Sequence, residues 1–163
     1  MIVGLLSDTH GQHAVAKAGV TMLHAGGAAV LIHCGDVGGT DILDLLAGDV
    51  PAYFVFGNND WDREELESYA GHLGVICLGT AGDVPLGEQV GVVLHGDVPS
   101  AKREALGRAD VAYVFQGHTH VPKDEQIGGV RVINPGALHR AAVKTVALLN
   151  TDDGALRYLR VVK

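Results

Sequence analysis

IVGLLSDTHGQHAVAKAGVTMLHAGGAAVLIHCGD, residues 2 to 36, is the stretch whose reading decides the fold. Ile2–Leu6 is a short apolar run bounded by a polar cluster, as in a strand buried on both faces. Gln12–Ala25 carries Val15, Ala18, Met22 and Ala25 near helical spacing and is predicted to be an amphipathic helix. Val30–Ile32 gives a second strand. Asp41–Leu46 adds a short helix and Tyr53–Phe56 a third strand. A β-α-β-α-β opening implies parallel strands joined by crossover helices.

Beyond this opening the pattern changes. Arg63–Tyr69 and Pro99–Leu106 are predicted helices. Val75–Leu78, Val84–Leu86, Val90–Leu94 and Val111–Phe115 are predicted strands. Val121–Gln126 and Val130–Ile133 form a hairpin around Gly128-Gly129, and Thr145–Asn150 and Leu156–Val161 form another around Asp153-Gly154. Two mixed sheets packed face to face, with helices outside, accommodate both halves. The expected fold class is α/β, a four-layer αββα sandwich. No linker, repeat or low-complexity segment interrupts the chain, so residues 1–163 are read as a single domain.

Apolar residues make up 47% of the chain and aromatic ones only 5%, so the core is aliphatic. The net charge is −7 with no basic run, which argues against nucleic acid and anionic membranes as partners. No apolar stretch approaches a membrane span, and the run before Asp8 is too short for a secretory h-region and lacks a basic flank. A cytoplasmic location is expected, with Cys34 and Cys77 as reduced, buried thiols. Self-association into a homo-oligomer is left open.

The chemistry sits where the apolar runs stop. Six of them end in Ser7-Asp8-Thr9-His10, His33-Cys34-Gly35-Asp36, Gly57-Asn58-Asn59-Asp60, His95-Gly96-Asp97, Gly117-His118-Thr119-His120 and Asn134-Pro135-Gly136. Strand ends of this kind converge on one crevice. A crevice filled with Asp, Asn and His suits hard or borderline divalent cations. Asp8 and His10 stand two apart, and on an extended strand end such residues point to one side and reach one cation. The Asp36 carboxylate has two oxygens and can bridge two ions. Asn58 offers a neutral oxygen, and His95, His118 and His120 add three rings. Two Asp, one Asn and four His are too many for one tetrahedral zinc, and the thiolates of a structural site are missing. The set suits two ions sharing Asp36, about 3.5–4 Å apart, with open positions for water or substrate. Two divalent cations outweigh Asp8, Asp36 and a bridging hydroxide, so the pocket stays locally positive and attracts a phosphate oxyanion. Mixed nitrogen and oxygen ligation favours manganese, with iron, nickel, cobalt or zinc as alternatives.

The order D-x-H, G-D, G-N-x-D, H-G, G-H-x-H resembles the calcineurin-like metallophosphoesterases. The short length, Ser7-Asp8-Thr9-His10-Gly11, Gly117-His118-Thr119-His120 and Asn134-Pro135-Gly136 are most similar to their small single-domain phosphodiesterase branch. The resemblance spans roughly residues 2–140. It implies a first ion held by Asp8, His10, Asp36 and His120, and a second held by Asp36, Asn58, His95 and His118. It also implies the four-layer sandwich, and a metal-bridging hydroxide attacking the phosphorus of a small phosphodiester in line.

One position departs from that pattern. Asn59 stands where many members carry the His thought to protonate the leaving group, and an amide donates no proton at neutral pH. Asn59 therefore points toward diesters with acidic leaving groups and away from monoesters with poor ones. A phosphomonoesterase is one alternative. Another is a non-catalytic scaffold similar to the retromer sorting subunit, whose metal site is degraded; here all seven ligand positions are filled. Among the flanking residues, His33 is read as structural and turned away from the site, and His13 as facing substrate or solvent. His24, His72 and His139 are read as surface or packing residues, and Arg140 as solvated. Asn134 is expected to orient a ligand loop and Asp60 to hold the 57–60 turn.

Overall fold

The computed structural model describes residues 1–162. The first half runs β1 (Ile2–Leu6), α1 (His13–Ala25), β2 (Val30–His33), α2 (Thr40–Leu46), β3 (Ala52–Phe54), α3 (Arg63–Leu73) and β4 (Ile76–Cys77). The second runs β5 (Ala81–Leu86), β6 (Gln89–Leu94), α4 (Pro99–Leu106), β7 (Val111–Phe115), β8 (Lys123–Ile127), β9 (Val130–Asn134), β10 (Thr145–Asn150) and β11 (Leu156–Arg160). One sheet has the order β11-β10-β1-β2-β3-β4 and the other β5-β6-β7-β9-β8. In the first, β1 to β4 are parallel, and the late hairpin returns antiparallel so that Val3 faces Leu149. In the second, β6, β7 and β9 are parallel, with β5 and β8 as antiparallel edges. Both sheets are mixed, as the sequence predicts.

Strand alternation sorts the apolar residues into layers. Val3 and Leu5 point between the sheets, with Ile32, Val93, Phe115 and Leu149. Leu6, Leu31 and Phe54 face the other way, onto Leu23 of α1, Leu43 of α2 and Leu66 of α3. The outer face of the second sheet buries Val92, Val114 and Val132 against Ala105 of α4. The result is helix, sheet, sheet, helix. Each fully buried aliphatic side chain adds roughly 1.5–3 kcal/mol to this stacking.

The differences from expectation lie at element ends. Gln12 caps α1 and is not part of it. Strand β3 starts at Ala52 and leaves the ladder after Phe54, although Val55 and Phe56 still donate to the carbonyls of His33 and Gly79 at 3.2 and 2.8 Å. Strand β4 holds only Ile76 and Cys77. Helix α3 runs on past Tyr69 to Leu73, where Gly74 at φ 76° closes it in the left-handed conformation. Strand β5 begins at Ala81, because Ala81, Gly82 and Asp83 pair with Leu94, Val93 and Val92, and pairing outweighs their weak β preference. Strand β8 begins at Lys123, after Pro122, which has no N–H to give a ladder. Cys34 is buried but Cys77 only half-buried, and both are free thiols.

Candidate metal centre

The carboxyl ends of β1, β2 and β3 meet those of β6, β7 and β9. Beyond the last strand pairs the β1–β2 ladder continues into loops. Asp8 N–H donates to the Gly35 carbonyl at 3.0 Å, His10 N–H to Asp36 at 3.0 Å and Gly11 N–H to Val37 at 2.9 Å. In the second sheet Gly117 N–H donates to the His95 carbonyl at 3.0 Å. The two sheets touch here so closely that a Cβ on Gly35 would stand 2.6 Å from His95 Nδ1, and Gly35 has φ +96° besides. Glycine is required at that position.

Asp8, His10, Asp36, His118 and His120 all have positive φ, at 53, 44, 56, 70 and 61°. This corrects the expectation for Asp8 and His10. Their side chains converge because each sits in the left-handed region, not because an extended strand end repeats every two residues. Left-handed backbone costs a non-glycine residue roughly 1–2 kcal/mol, and such costs cluster where a site must aim its side chains.

The aim is inward. Asp8 Oδ1 lies 3.1 Å from His120 Nε2, 3.8 Å from His10 Nε2 and 3.9 Å from His95 Nε2. Asp36 Oδ2 lies 3.4 Å from His10 Nε2 and 3.3 Å from His95 Nε2. The ligand atoms form two groups, Asp8–His10–His120 and Asp8–Asp36–His95. His118 stacks edge-on against His95 with ring centroids 5.1 Å apart, and its N–H donates to Asp8 Oδ2 at 3.1 Å. Asn58 is exposed at the rim. Asn59 touches Asp36 directly: its N–H donates to Oδ1 and its Nδ2 to Oδ2, each at 2.9 Å.

Three of the converging atoms, Asp8 Oδ1, His10 Nε2 and His95 Nε2, are buried with no hydrogen-bond partner. Burying a polar atom unpaired is costly, so native structures satisfy almost all of them. For His95 the tautomer follows from its other nitrogen, which donates to the Cys34 carbonyl at 2.7 Å. That leaves the Nε2 lone pair facing the carboxylates. His120 is set in the same way, its Nδ1 donating to the Arg140 carbonyl at 3.3 Å. Neutral nitrogens and carboxylate oxygens with free lone pairs are what a divalent cation takes, and these residues fit one. Without it a proton substitutes. Burial disfavours charge on His95, but Asp36 and the Cys34 carbonyl outweigh it and raise the ring to about 9. Burial likewise opposes charge on Asp36, while His95 and Asn59 hold that carboxyl well below its usual range.

A second set of residues fixes the loops. Ser7 Oγ donates to Asp8 Oδ2 at 2.6 Å. Asn134 Nδ2 donates to the Gly117 carbonyl at 2.9 Å and to Thr119 Oγ1 at 3.1 Å, and its Oδ1 accepts from Gly136 N–H. Asp60 does more than close its own turn. Its carboxylate accepts from Gly57 N–H at 2.9 Å, and also from Val37 at 3.1 Å and Gly38 at 3.0 Å, tying the Asp36 loop to the Asn58 loop. His33 accepts from Gly35 N–H and donates from Nε2 to Thr9 Oγ1, which passes its own proton to the Val37 carbonyl. Burial first, then the neighbouring His95, pushes His33 down to about 3, so it is a neutral strut. His139 packs on His10 with centroids 5.2 Å apart. Sequence reasoning gave Ser7 and Thr9 no role, although both lie inside the quoted Ser7–His10 run. Their signal is burial, which only the fold reveals.

A model of the calcineurin-like phosphoesterase superfamily domain matches residues 1–154. A protein of Methanocaldococcus jannaschii named as a probable metallophosphoesterase is 28% identical over 165 residues, covering 94% of this chain and 77% of the relative. A phosphodiesterase of the same archaeon is 25% identical over 164 residues, covering 96% and 97%. A solved structure, that of an archaeal phosphodiesterase, superposes with a TM-score of 0.88 at 24% identity, covering 98% of this chain and 99% of that one. At that identity the superposition speaks for the fold.

Proposed function

The chain belongs to the calcineurin-like phosphoesterase superfamily, and we propose that it is a single-domain, dinuclear metal-dependent phosphodiesterase acting on small phosphate diesters. The observation that carries this reading is the set of three buried, unpartnered lone-pair atoms, Asp8 Oδ1, His10 Nε2 and His95 Nε2. We assign Asp8, His10, Asp36 and His120 to one cation and Asp36, Asn58, His95 and His118 to the other. Manganese is the first candidate. Bound divalent cations would supply Lewis acidity toward a phosphoryl oxygen and a nucleophile from water at neutral pH.

The chain's own residues do the rest. Asn59 clamps both oxygens of Asp36 and so fixes the carboxylate assigned to both ions. Asn134 and the Arg140 carbonyl hold the His118–His120 loop. In the overall reaction water adds to phosphorus, one P–O ester bond breaks, and a monoester and an alcohol leave. Asn59 has no proton to lend that alcohol, so esters of acidic alcohols are the better substrates. No helix among the described residues is long and apolar enough to cross a membrane, in keeping with a proposed cytoplasmic location.

The test strips the protein with chelator and restores manganese. Turnover of bis(p-nitrophenyl) phosphate is expected only with metal, with p-nitrophenyl phosphate slower and two metal equivalents bound per chain. A fully loaded protein that hydrolyses neither ester overturns the enzymatic reading and favours a scaffold.

A further inference from the structure

Asp8 and Asp36 differ in how the protein uses their oxygens. An ionised carboxylate has about four lone pairs, two on each oxygen. Asn59 gives Asp36 one donor per oxygen, its N–H to Oδ1 and its Nδ2 to Oδ2. Both oxygens of Asp36 therefore keep a free lone pair, as a bridge between two ions needs. On Asp8 both donors go to the same oxygen. Ser7 Oγ gives its proton to Oδ2 at 2.6 Å, and the His118 N–H donates to it at 3.1 Å. Those two bonds use up Oδ2. Oδ1 accepts nothing, and it faces the Nε2 atoms of His120, His10 and His95 at 3.1, 3.8 and 3.9 Å.

The surroundings fix this asymmetry. Ser7 and Asp8 are fully buried, so water does not compete for the bond between them. Its 2.6 Å is the length of a charge-assisted hydroxyl–carboxylate bond. Gly117 closes over the same oxygen, where a Cβ would collide with Ser7 Oγ and Asp8 Oδ2. Gly117 is not among the left-handed glycines, so space alone demands it.

We infer that Ser7 is a positioning residue that makes Asp8 a one-oxygen ligand, and that it thereby selects the cation against calcium. The inference rests on the metal-centre reading and deepens it. Asp8, His10, Asp36 and His120 then offer one atom each, which leaves an octahedral ion open positions for water and substrate. A two-oxygen Asp8 would take one of these positions. Calcium gathers about 6–8 ligands and accepts both oxygens of one carboxylate, whereas smaller divalent ions hold fewer. Freeing Oδ2 therefore favours calcium.

The test titrates chelator-stripped protein with manganese by calorimetry, and reads calcium from its displacement of bound manganese. Ser7→Ala is expected to weaken manganese about tenfold. Calcium is expected to hold its affinity or gain, so its disadvantage against manganese shrinks at least about tenfold. Ser7→Cys, close in shape and a weaker donor, is expected to fall between. A Ser7 that only holds the loop would weaken both ions alike, so an equal loss overturns the inference, as does unchanged binding. A crystal structure of the manganese-loaded wild type decides without any variant. One Asp8 oxygen on the ion, with Ser7 still bonded to the other, supports the inference; both oxygens on the ion overturn it. Protein that binds neither cation overturns the metal-centre reading and the inference with it. None of these readouts needs turnover, so the phosphodiesterase reading stands or falls separately.

Discussion

Asp60→Ala removes the acceptor that joins two loops of the site. Asp60 is 4% exposed, and its carboxylate takes the N–H groups of Val37, Gly38 and Gly57 at 3.1, 3.0 and 2.9 Å. Val37 and Gly57 are buried, so alanine strands two donors away from water, at roughly 1–3 kcal/mol each. Gly38 is exposed and recovers a water. The expected loss is about 4 kcal/mol, a large part of a typical stability of about 5–15 kcal/mol. Asp60→Asn keeps one oxygen, able to serve Val37 and Gly57, and turns its amide toward Gly38, so its loss is about 1–2 kcal/mol. Urea unfolding with metal chelated reads both numbers. A manganese titration of each folded variant should show weaker binding, because the Asp36 loop is no longer pinned. An alanine variant within about 0.5 kcal/mol of wild type, the range of an ordinary surface change, would refute the reasoning.

Acid stability tests His33. Its native pKa of about 3 lies below the ordinary 6.5, so between those values the unfolded chain takes up a proton that the native ring refuses. Stability therefore falls as the pH drops through that window, by up to about 1.4 kcal/mol per unit. His95, raised to about 9, adds stability as pH falls from 9 to 6.5 and then saturates, so it does not mask the effect. Urea midpoints of the metal-free protein from pH 6.5 to 4.5 should slope downward, and His33→Gln should flatten them; identical slopes would clear His33 of the role. Manganese at about a hundredfold excess over its dissociation constant should stabilise the protein by about 2.7 kcal/mol, read as a higher melting temperature that Asp8→Asn abolishes. Asn59→His restores a proton donor, so hydrolysis of diesters with alkyl leaving groups should rise at least about tenfold relative to nitrophenyl esters. An unchanged ratio across a leaving-group series would contradict the part given to Asn59.

The opening of the fold was legible because Ile2–Leu6, Val30–Ile32 and the helix between them obey a strict apolar rhythm. The sheet order was less so. Nothing local in Thr145–Asn150 says that it will pair with β1, since that contact joins the two ends of the chain. Ala81, Gly82 and Asp83 read as a turn and became strand only through Val92–Leu94. At the site, Asp8, His10, Asp36, His95 and His120 were legible as residue types at strand ends, and the structure gathers them. The backbone of Asp8, His10, Asp36 and His120 was not, because positive φ at an Asp or a His is imposed by the tertiary structure and leaves no glycine as a marker. Asp60 was recognised as a turn residue, but its reach to Val37 and Gly38 depends on two loops 22 and 23 residues apart in sequence.

The left-handed residues limit what can be borrowed from this protein. A designer who copied Asp8, His10, Asp36, His118 and His120 onto regular strands, at the same intervals, would obtain side chains aimed at different points. The intervals are a record of the centre, whereas its aim is stored in five N–Cα rotations and in the loops that restrain them. Grafting would have to carry Asp60, Asn134 and His33 along, since these hold the twist in place.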